Sequence, residues 1–184
     1  MIYLKKTPKK GLSYMRDKVH FKGDSTNYLG EKIEGIPILR KPEYGTGENW
    51  PDGSPKVNWS KIINGDEWGF DINHKEPNGD HRMNVVLPKN TRLIRYGKEN
   101  GKFTAPEGTT YEEISLPYVK ESVYYHEYEV IADSITVQVK VLRGRVAPGF
   151  DYSGGGVQYM HPYTMIESIN RGLIKEIEYE ANDI

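Results

Sequence analysis

The chain has 184 residues, of which 36% are hydrophobic, and its 25 Lys and Arg nearly balance 26 Asp and Glu for a net charge of −1. This composition predicts one globular domain with an appendage, gives no general attraction to nucleic acid, and offers no apolar run long enough for membrane insertion. The absence of cysteine excludes disulfides, thiolate zinc sites and a cysteine nucleophile.

The first third of the chain differs from the rest. Residues 1–60 show little periodicity and are rich in Gly, Pro, Lys and Tyr, so we interpret them as a linker or accessory N-terminal segment before a main domain over residues 61–184. Glycines and prolines between residues 43 and 55 predict a loop. The apolar start Met1–Leu4 gives way at once to two lysines, so we expect no cleaved leader, and export would need another route or a longer parent chain.

The main domain shows strand patterns. The pattern over Val85–Gly97 predicts strand, short turn and strand. The alternation of Tyr124–Ile131 predicts another strand, and Ile135–Val141 predicts a half-buried one. Three glycines lead into a short strand at Val157–Tyr159, and a last strand is predicted over Leu173–Tyr179.

One helix is predicted near the C-terminus. Pro162 suits its first turn, Met165, Ile166 and Ile169 form an apolar stripe, and Gly172 ends it. The fold class is therefore α+β: a β-rich domain with a small mixed or antiparallel sheet and few short helices.

Arg95 lies on a predicted strand two residues from Leu93, on the side that faces the core. A charged group there is costly unless it is paired. One interpretation is that its planar guanidinium binds an anion such as a phosphate. The alternative is an arginine at the sheet edge that pairs with a nearby carboxylate.

A glycine-containing turn follows and ends at Phe103. Gly97 and Gly101 permit a tight turn and a close approach of the backbone. Phe103 is either a stacking surface for a planar heterocycle or an ordinary core residue.

The run Gly154–Gly156 is the most unusual stretch of the chain. Three consecutive glycines cost backbone entropy, which favours either close approach of a ligand to the backbone or a flexible surface loop. In the strand that follows, Gln158 points away from Val157 and Tyr159, where it can orient a water or a ribose hydroxyl.

Other polar and aromatic clusters give weaker indications of a functional site. His74, Asp80 and His81 lie in loop sequence without zinc spacing, so we expect no metal. Trp50, Trp59 and Trp68 recur every nine residues and allow either a sugar-binding platform or ordinary packing.

Several segments, in a fixed order, match one known pattern. They are Trp68–Phe70, Val86–Gly97, Gly101–Phe103, Pro106–Thr109, Leu116–Pro117, Tyr125–Val130, Ala147–Pro148 with Phe150, and Gly154–Tyr159. In order and spacing this set resembles the tuberculosis necrotizing toxin family of NAD glycohydrolases. The departures are Ile94 for aspartate, Tyr118 for proline and Gly149 for tryptophan, which change pocket walls but remove no residue with an assigned chemical role.

The resemblance implies a cleft like that of ADP-ribosyltransferases, in which the bond between nicotinamide and ribose of NAD, and of NADP, is hydrolysed. NAD is then the substrate and no cofactor is needed. The implied catalytic residues are Arg95 for the diphosphate, Phe103 for the nicotinamide ring and Gln158 for the ribose and water. The implied substrate-binding residues are Tyr96, Gly97, His126, Gly155, Gly156 and Tyr159.

The resemblance also implies a secreted effector of interbacterial competition that acts in the cytosol of a target cell, and a cognate immunity protein that blocks its active site. Two rival functions stay open. The pairs Glu127 with Glu129 and Glu178 with Glu180 have the Glu-x-Glu pattern that occurs in ADP-ribosyltransferases, although a solvated strand face explains them too. The three tryptophans allow a carbohydrate-binding module without enzymatic activity.

Overall fold

This computed structural model describes residues 7–9, 13–15 and 27–177. The helices are α1 (Tyr111–Ile114) and α2 (Met165–Asn170), with short 3-10 turns at Pro42–Tyr44, Trp59–Lys61 and Lys120–Ser122. The strands are β1 (Thr7–Lys9), β2 (Ser13–Met15), β3 (Gly45–Asn49), β4 (Pro55–Val57), β5 (Arg82–Leu87), β6 (Arg92–Tyr96), β7 (Phe103–Pro106), β8 (Tyr125–Val130), β9 (Val139–Arg145), β10 (Val157–Met160) and β11 (Ile174–Glu176).

A seven-stranded antiparallel sheet forms the centre, in the order β11-β8-β6-β7-β10-β9-β5. The predicted strands β5 and β6 are confirmed, but β5 lies at one edge and β6 lies in the middle. The turn between them contains Asn90 with a φ of 71°, a left-handed conformation that asparagine tolerates. The prediction of a β-rich α+β fold is confirmed, and the sheet is antiparallel throughout.

Both faces of the central strands are covered. Along β6, Leu93 packs into a cluster with Tyr128 and Val130, whereas Ile94 packs with Ala105 on the opposite face. Because side chains alternate along a strand, this division fixes which residues of β6 point to which face.

The predicted helix α2 is confirmed with a changed start. Thr164 caps it: its hydroxyl accepts a hydrogen bond from Glu167 N, and the Glu167 carboxylate accepts one from Thr164 N. Pro162 therefore lies before the helix rather than in its first turn. Gly172, with a φ of 69°, ends the helix as predicted.

The prediction of a strand from Ile135 is wrong at its beginning. Residues 134–136 form a turn, Ile135 is 90% exposed, and β9 begins only at Val139. The side chain of Asp133 accepts a hydrogen bond from Ile135 N at 2.9 Å, and its carbonyl oxygen accepts one from Val137 N. Such local bonds from an aspartate compete with a strand ladder, which explains the late start.

Part of the N-terminal segment packs on the main domain. Strands β3 and β4 form a hairpin, so the prediction of a loop over residues 43–55 is wrong for Gly45–Asn49. Tyr44 and Val57 pack against Phe150, and the Arg40 guanidinium lies 3.8 Å above the Tyr152 ring. The boundary between residues 60 and 61 stays a prediction.

The C-terminal predictions fall partly beyond the described ranges. Strand β11 confirms the predicted last strand over Ile174–Glu176, whereas Tyr179, Glu178 and Glu180 lie outside the described residues. Within the described ranges, the helices are all too short or too polar to pass through a bilayer.

Candidate active site

A cavity of about 620 Å³ opens on one face of the central strands. Its walls come from the loop of residues 59–69, the strands β6 and β7, the end of α1 with the segment that follows it, and Gln158 of β10. This volume falls within the range of clefts that bind small molecules and cofactors. The three predicted catalytic residues, Arg95, Phe103 and Gln158, all line the cavity.

The strand register divides these three residues between two faces. In the β7–β10 pair Phe103 opposes Met160 and Thr104 opposes Tyr159, so continuing the register sets Gln158 opposite Ala105. Phe103, Ala105 and Gln158 therefore share the face that carries the cavity. Arg95 leaves β6 on the face of Leu93 and reaches the lining at the end of its strand.

The turn that follows β6 holds the Arg95 guanidinium. Nε donates to the carbonyl of Lys98 at 2.8 Å, and Nη1 donates to the carbonyl of Phe103 at 2.8 Å. A β-carbon added at Gly101 would lie 1.7 Å from Nη2, and one added at Gly97, whose φ is 135°, would lie 2.9 Å from it. The two glycines thus make room for the guanidinium, which carries a fixed positive charge to this end of the sheet.

His161 lies behind the cavity and is 1% exposed. Its Nε2 lies 2.8 Å from Oγ1 of Thr104, the residue next to Phe103. Burial, with a smaller contribution from the charge of Arg95, lowers the pKa of His161 to about 4. The imidazole is therefore neutral at pH 7. Its contact with Thr104 links β7 to His161, which directly follows β10.

Gln158 is connected to the loop that carries Trp68. Its Nε2 donates to the carbonyl of Trp68 at 3.4 Å, a long hydrogen bond between residues ninety positions apart. Among the described residues this is its one side-chain hydrogen bond, so the Gln158 amide oxygen is available to a ligand. The contact sets Gln158 and the Trp68 loop on adjoining walls of the cavity.

Asp66 holds that loop in shape. Its Oδ1 accepts hydrogen bonds from the N–H groups of Trp68 at 2.8 Å and Phe70 at 3.0 Å, while Oδ2 contacts His81 at 2.8 Å and Arg82 at 3.0 Å. Burial raises the pKa of Asp66, but these hydrogen bonds outweigh it and lower the pKa below its ordinary value. The carboxylate is therefore ionised and fixes the backbone beneath Trp68.

Trp68 and Phe103 both line the cavity, and their rings lie close together. Their ring centroids are 6.4 Å apart with an angle of 44° between the planes. Trp68 is 49% exposed and Phe103 is half-buried, so both rings offer aromatic surface to a ligand.

The triple glycine brings two parts of the backbone together. A β-carbon at Gly154 would lie 2.7 Å from the carbonyl oxygens of Val146 and Ala147, and one at Gly156 would lie 2.9 Å from the carbonyl oxygen of Glu113. Gly156 N also donates to that carbonyl of Glu113 at 3.1 Å. These glycines therefore let the chain pack closely on its own backbone, which aligns β10 and Gln158 with α1.

Comparison with known proteins agrees with this arrangement. The family model of the tuberculosis necrotizing toxin matches residues 86–177, which is half of the chain. The chain belongs to the tuberculosis necrotizing toxin family. The match contains Arg95, Phe103 and Gln158, and it confirms the family that the sequence resembles.

Individual proteins are similar to this chain at identities of 18% to 31%. A conidial surface nicotinamide adenine dinucleotide glycohydrolase of Aspergillus fumigatus is 31% identical over 104 residues, covering 54% of this chain and 44% of the relative. The chain thus spans less than half the length of that protein. Two solved structures are also similar: tuberculosis necrotizing toxin with its immunity factor (20% identity, TM-score 0.43, 75% of this chain and 79% of that one) and Tse6 with Tsi6 (18%, 0.38, 52% and 71%).

The remaining residues predicted to bind substrate in this toxin family fall into two groups. Tyr96 and Gly97 line the cavity beside Arg95. Gly155, Gly156 and Tyr159 lie outside the lining, and the Tyr159 ring packs on the core face opposite Gln158. Direct contact of these three residues with a substrate stays a prediction.

His126 is the last of the predicted binding residues, and it is fully buried. Its Nδ1 lies 2.9 Å from Oε1 of Glu176 and 3.8 Å from Oε1 of Glu99. These three side chains offer ligand atoms within 4.8 Å of one another, a possible metal geometry. The His126–Glu176 hydrogen bond accounts for their closest approach, and the cluster lies outside the cavity lining.

The residues behind the two rival functions are separated from the cavity or from one another. Glu127 is 5% exposed and bonds the Tyr125 hydroxyl, and Glu129 pairs with Arg92 and Lys175, so neither lines the cavity. The solvated face considered for this pair is wrong for the buried Glu127. Of the three tryptophans, Trp59 and Trp68 line the cavity whereas Trp50 does not.

Part of the site was missed from the sequence. Asp66 lines the cavity but was not a candidate in the sequence. Trp59 and Trp68 line it too, although the sequence suggested them only for a sugar-binding platform and, for Trp68, as part of the family resemblance. The sequence Asp66-Glu67-Trp68-Gly69-Phe70 contains a usable signal, because an aspartate two residues before a tryptophan and three before a glycine favours a side-chain-capped turn. Nothing local indicates that this turn meets Gln158.

Proposed function

We propose that this chain is an NAD glycohydrolase toxin domain that hydrolyses the bond between nicotinamide and ribose. The family membership carries the proposal, and the cavity supports it by bringing Phe103 and Gln158 to one face with Arg95 at its end. The relative of Aspergillus fumigatus, named as a glycohydrolase of this dinucleotide, points to the same substrate class.

Hydrolysis of this bond does not require a general acid. Most glycosidases use two carboxylates, one of which protonates the leaving group. In NAD the bond from C1′ to the ring nitrogen breaks with its electron pair going to that nitrogen, so nicotinamide leaves as a neutral molecule. Water then bonds to C1′ of the oxocarbenium-like ribose and releases a proton to solvent, which gives ADP-ribose.

The three residues divide this task. Arg95 attracts the diphosphate with a guanidinium that Lys98 O and Phe103 O hold in place. Phe103 stacks on the nicotinamide ring. Gln158 orients the nicotinamide ribose or the attacking water through its amide. We expect no cofactor and no metal in this reaction.

Further properties follow from the same proposal. We expect NADP to be a substrate beside NAD. We expect the chain to act as a secreted effector in interbacterial competition, in the cytosol of a target cell, and to be blocked by a cognate immunity protein. One similar solved structure is named as a toxin complexed with its immunity factor, although its likeness is too remote to support a shared partner.

Product analysis separates hydrolysis from its main rival, transfer of ADP-ribose to a macromolecule. The purified chain is incubated with NAD labelled in the adenine, alone and with a cell lysate, and products are separated by chromatography and gel electrophoresis. We expect free ADP-ribose in an amount equal to the nicotinamide released. Label on protein or nucleic acid in place of free ADP-ribose contradicts the proposal, and so does an absence of nicotinamide.

A further inference from the structure

Trp68 lines the cavity, and although Trp68–Phe70 belongs to the segments that resemble the family, the resemblance assigns no chemical role to this residue. We propose that Trp68 and Phe103 form a two-ring clamp that stacks on the charged nicotinamide ring and selects the oxidised form of the dinucleotide over the reduced form. This inference rests on the proposed function and deepens it.

The geometry of the pair fits a planar guest. Stacked atoms lie about 3.5 Å apart, so a ring held between two others needs a separation of about 7 Å. The centroids of Trp68 and Phe103 are 6.4 Å apart. This separation is close to that value, and one aromatic ring fits once the two rings move apart by roughly half an ångström and the 44° angle between their planes falls.

The clamp adjoins the residue that acts on the sugar. The main-chain carbonyl of Trp68 accepts the hydrogen bond from Gln158 Nε2, which sets the backbone that carries the indole next to the amide proposed to hold the ribose or the water. In the dinucleotide the nicotinamide ring and its ribose are joined by one bond. The order of groups on the cavity wall therefore matches their order in the substrate.

The clamp is also held in position before a ligand arrives. Asp66 bonds the N–H groups of Trp68 and Phe70, and Phe70 is fully buried. Phe103 lies on β7 between β6 and β10. The backbone beneath both rings is therefore preorganised, and only the two side chains adjust when a ligand binds.

Charge gives the clamp its selectivity. The oxidised nicotinamide ring is a cation, and the faces of indole and phenyl rings attract cations. The reduced ring is neutral and gains only dispersion and burial. Glu67, next to Trp68 in the lining, adds negative charge near the same wall, although Arg82 at 3.3 Å shares its carboxylate.

The other tryptophans have different surroundings. Trp59 meets Phe150 edge-on at 6.0 Å, and Trp50 lies outside the lining with the Lys56 ammonium 5.3 Å from its ring. Trp50, which is 57% exposed, therefore serves as a matched control for the replacement of Trp68, which is 49% exposed.

The test compares two ligands that the protein does not consume. One is the carbocyclic analogue of NAD, which keeps the cationic ring but has CH2 in place of the ribose ring oxygen. The other is NADH. Their dissociation constants are measured by calorimetry for the wild-type chain and for the variants Trp68→Leu, Trp68→Phe and Trp50→Leu, with circular dichroism to check folding.

We expect the wild-type chain to bind the cationic analogue about 3- to 30-fold more tightly than NADH. Trp68→Leu lowers this ratio towards one, Trp68→Phe keeps most of it, and Trp50→Leu keeps all of it. An unchanged ratio in folded Trp68→Leu overturns the clamp while NAD hydrolysis by the wild type still stands. A wild-type ratio near one overturns the clamp without any variant, and a wild-type chain that neither binds the analogue nor releases nicotinamide overturns both proposals.

Discussion

Acidification tests the buried position of His161 without requiring any ligand. The imidazole is 1% exposed, and its pKa is lowered from 6.5 to about 4 by burial and by the charge of Arg95. Because the folded state holds this group neutral, protonation below the ordinary pKa favours the unfolded chain. We predict that His161 makes the protein sensitive to acid between pH 6.5 and 4.

The magnitude follows from the two pKa values. Each unit of difference corresponds to about 1.4 kcal/mol, so a change from 6.5 to about 4 contributes roughly 3 kcal/mol. Above pH 6.5 both states are neutral and stability does not depend on this group. Stability falls as the pH drops from 6.5 towards 4, and below 4 both states bind the proton and the loss levels off.

The assay is urea unfolding at several pH values between 4 and 7.5, for the wild type, His161→Gln and His74→Gln. Acid also removes stability through ionised carboxylates such as Asp66, so the difference between wild type and His161→Gln isolates the histidine. We expect the free energies of unfolding of the wild type and His161→Gln to converge by roughly 3 kcal/mol on acidification. His74→Gln serves as the control in which a partly exposed histidine is replaced. Parallel profiles for wild type and His161→Gln would refute the buried, neutral imidazole.

Two further replacements test contacts that shape the site. In Gly101→Ala the new β-carbon displaces the Arg95 guanidinium from its two carbonyl partners. We expect the free energy of unfolding, measured with urea, to fall by about 2–4 kcal/mol. An unchanged unfolding midpoint contradicts the packing of that turn. In Arg40→Ala the hydrogen bonds to the carbonyls of Leu116 and Phe150 disappear. We expect faster amide hydrogen exchange in the hairpin of residues 45–57, with little change in the central sheet. Equal exchange in wild type and Arg40→Ala argues against Arg40 as an anchor of the hairpin.

Local sequence patterns predicted much of the sheet but not its order. The sequence patterns over β6 and β8 were sufficient to predict both strands, although each strand buries residues on both of its faces. The pattern Ile135–Val141 alternates equally well, yet its first half is exposed because Asp133 caps a turn there. That β5 lies four strands away from β6 depends on tertiary pairing, which no short window contains.

Prediction of the candidate site was limited in the same way, because local sequence does not show which distant residues meet. The high cost of a charge beside Leu93 predicted an anion or a carboxylate as the partner of Arg95, and the partners include backbone carbonyls of Lys98 and Phe103, which local sequence did not indicate. The sequence of the triple glycine predicted ligand approach or flexibility, whereas Gly154 and Gly156 admit the backbone of residues 146–147 and of α1. The contact of Gln158 with Trp68 joins residues ninety positions apart and had no sequence signal.

The most direct test of the central claim is nicotinamide release from NAD by the wild-type chain and by Gln158→Ala, with Gln138→Ala as a control on an exposed glutamine. Hydrolysis through Gln158 predicts that wild type and Gln138→Ala release nicotinamide at equal rates. It predicts that folded Gln158→Ala is slower by about 100-fold or more, on the order of 3 kcal/mol of transition-state stabilisation. Equal rates for wild type and Gln158→Ala, or no nicotinamide from the wild type, would contradict it.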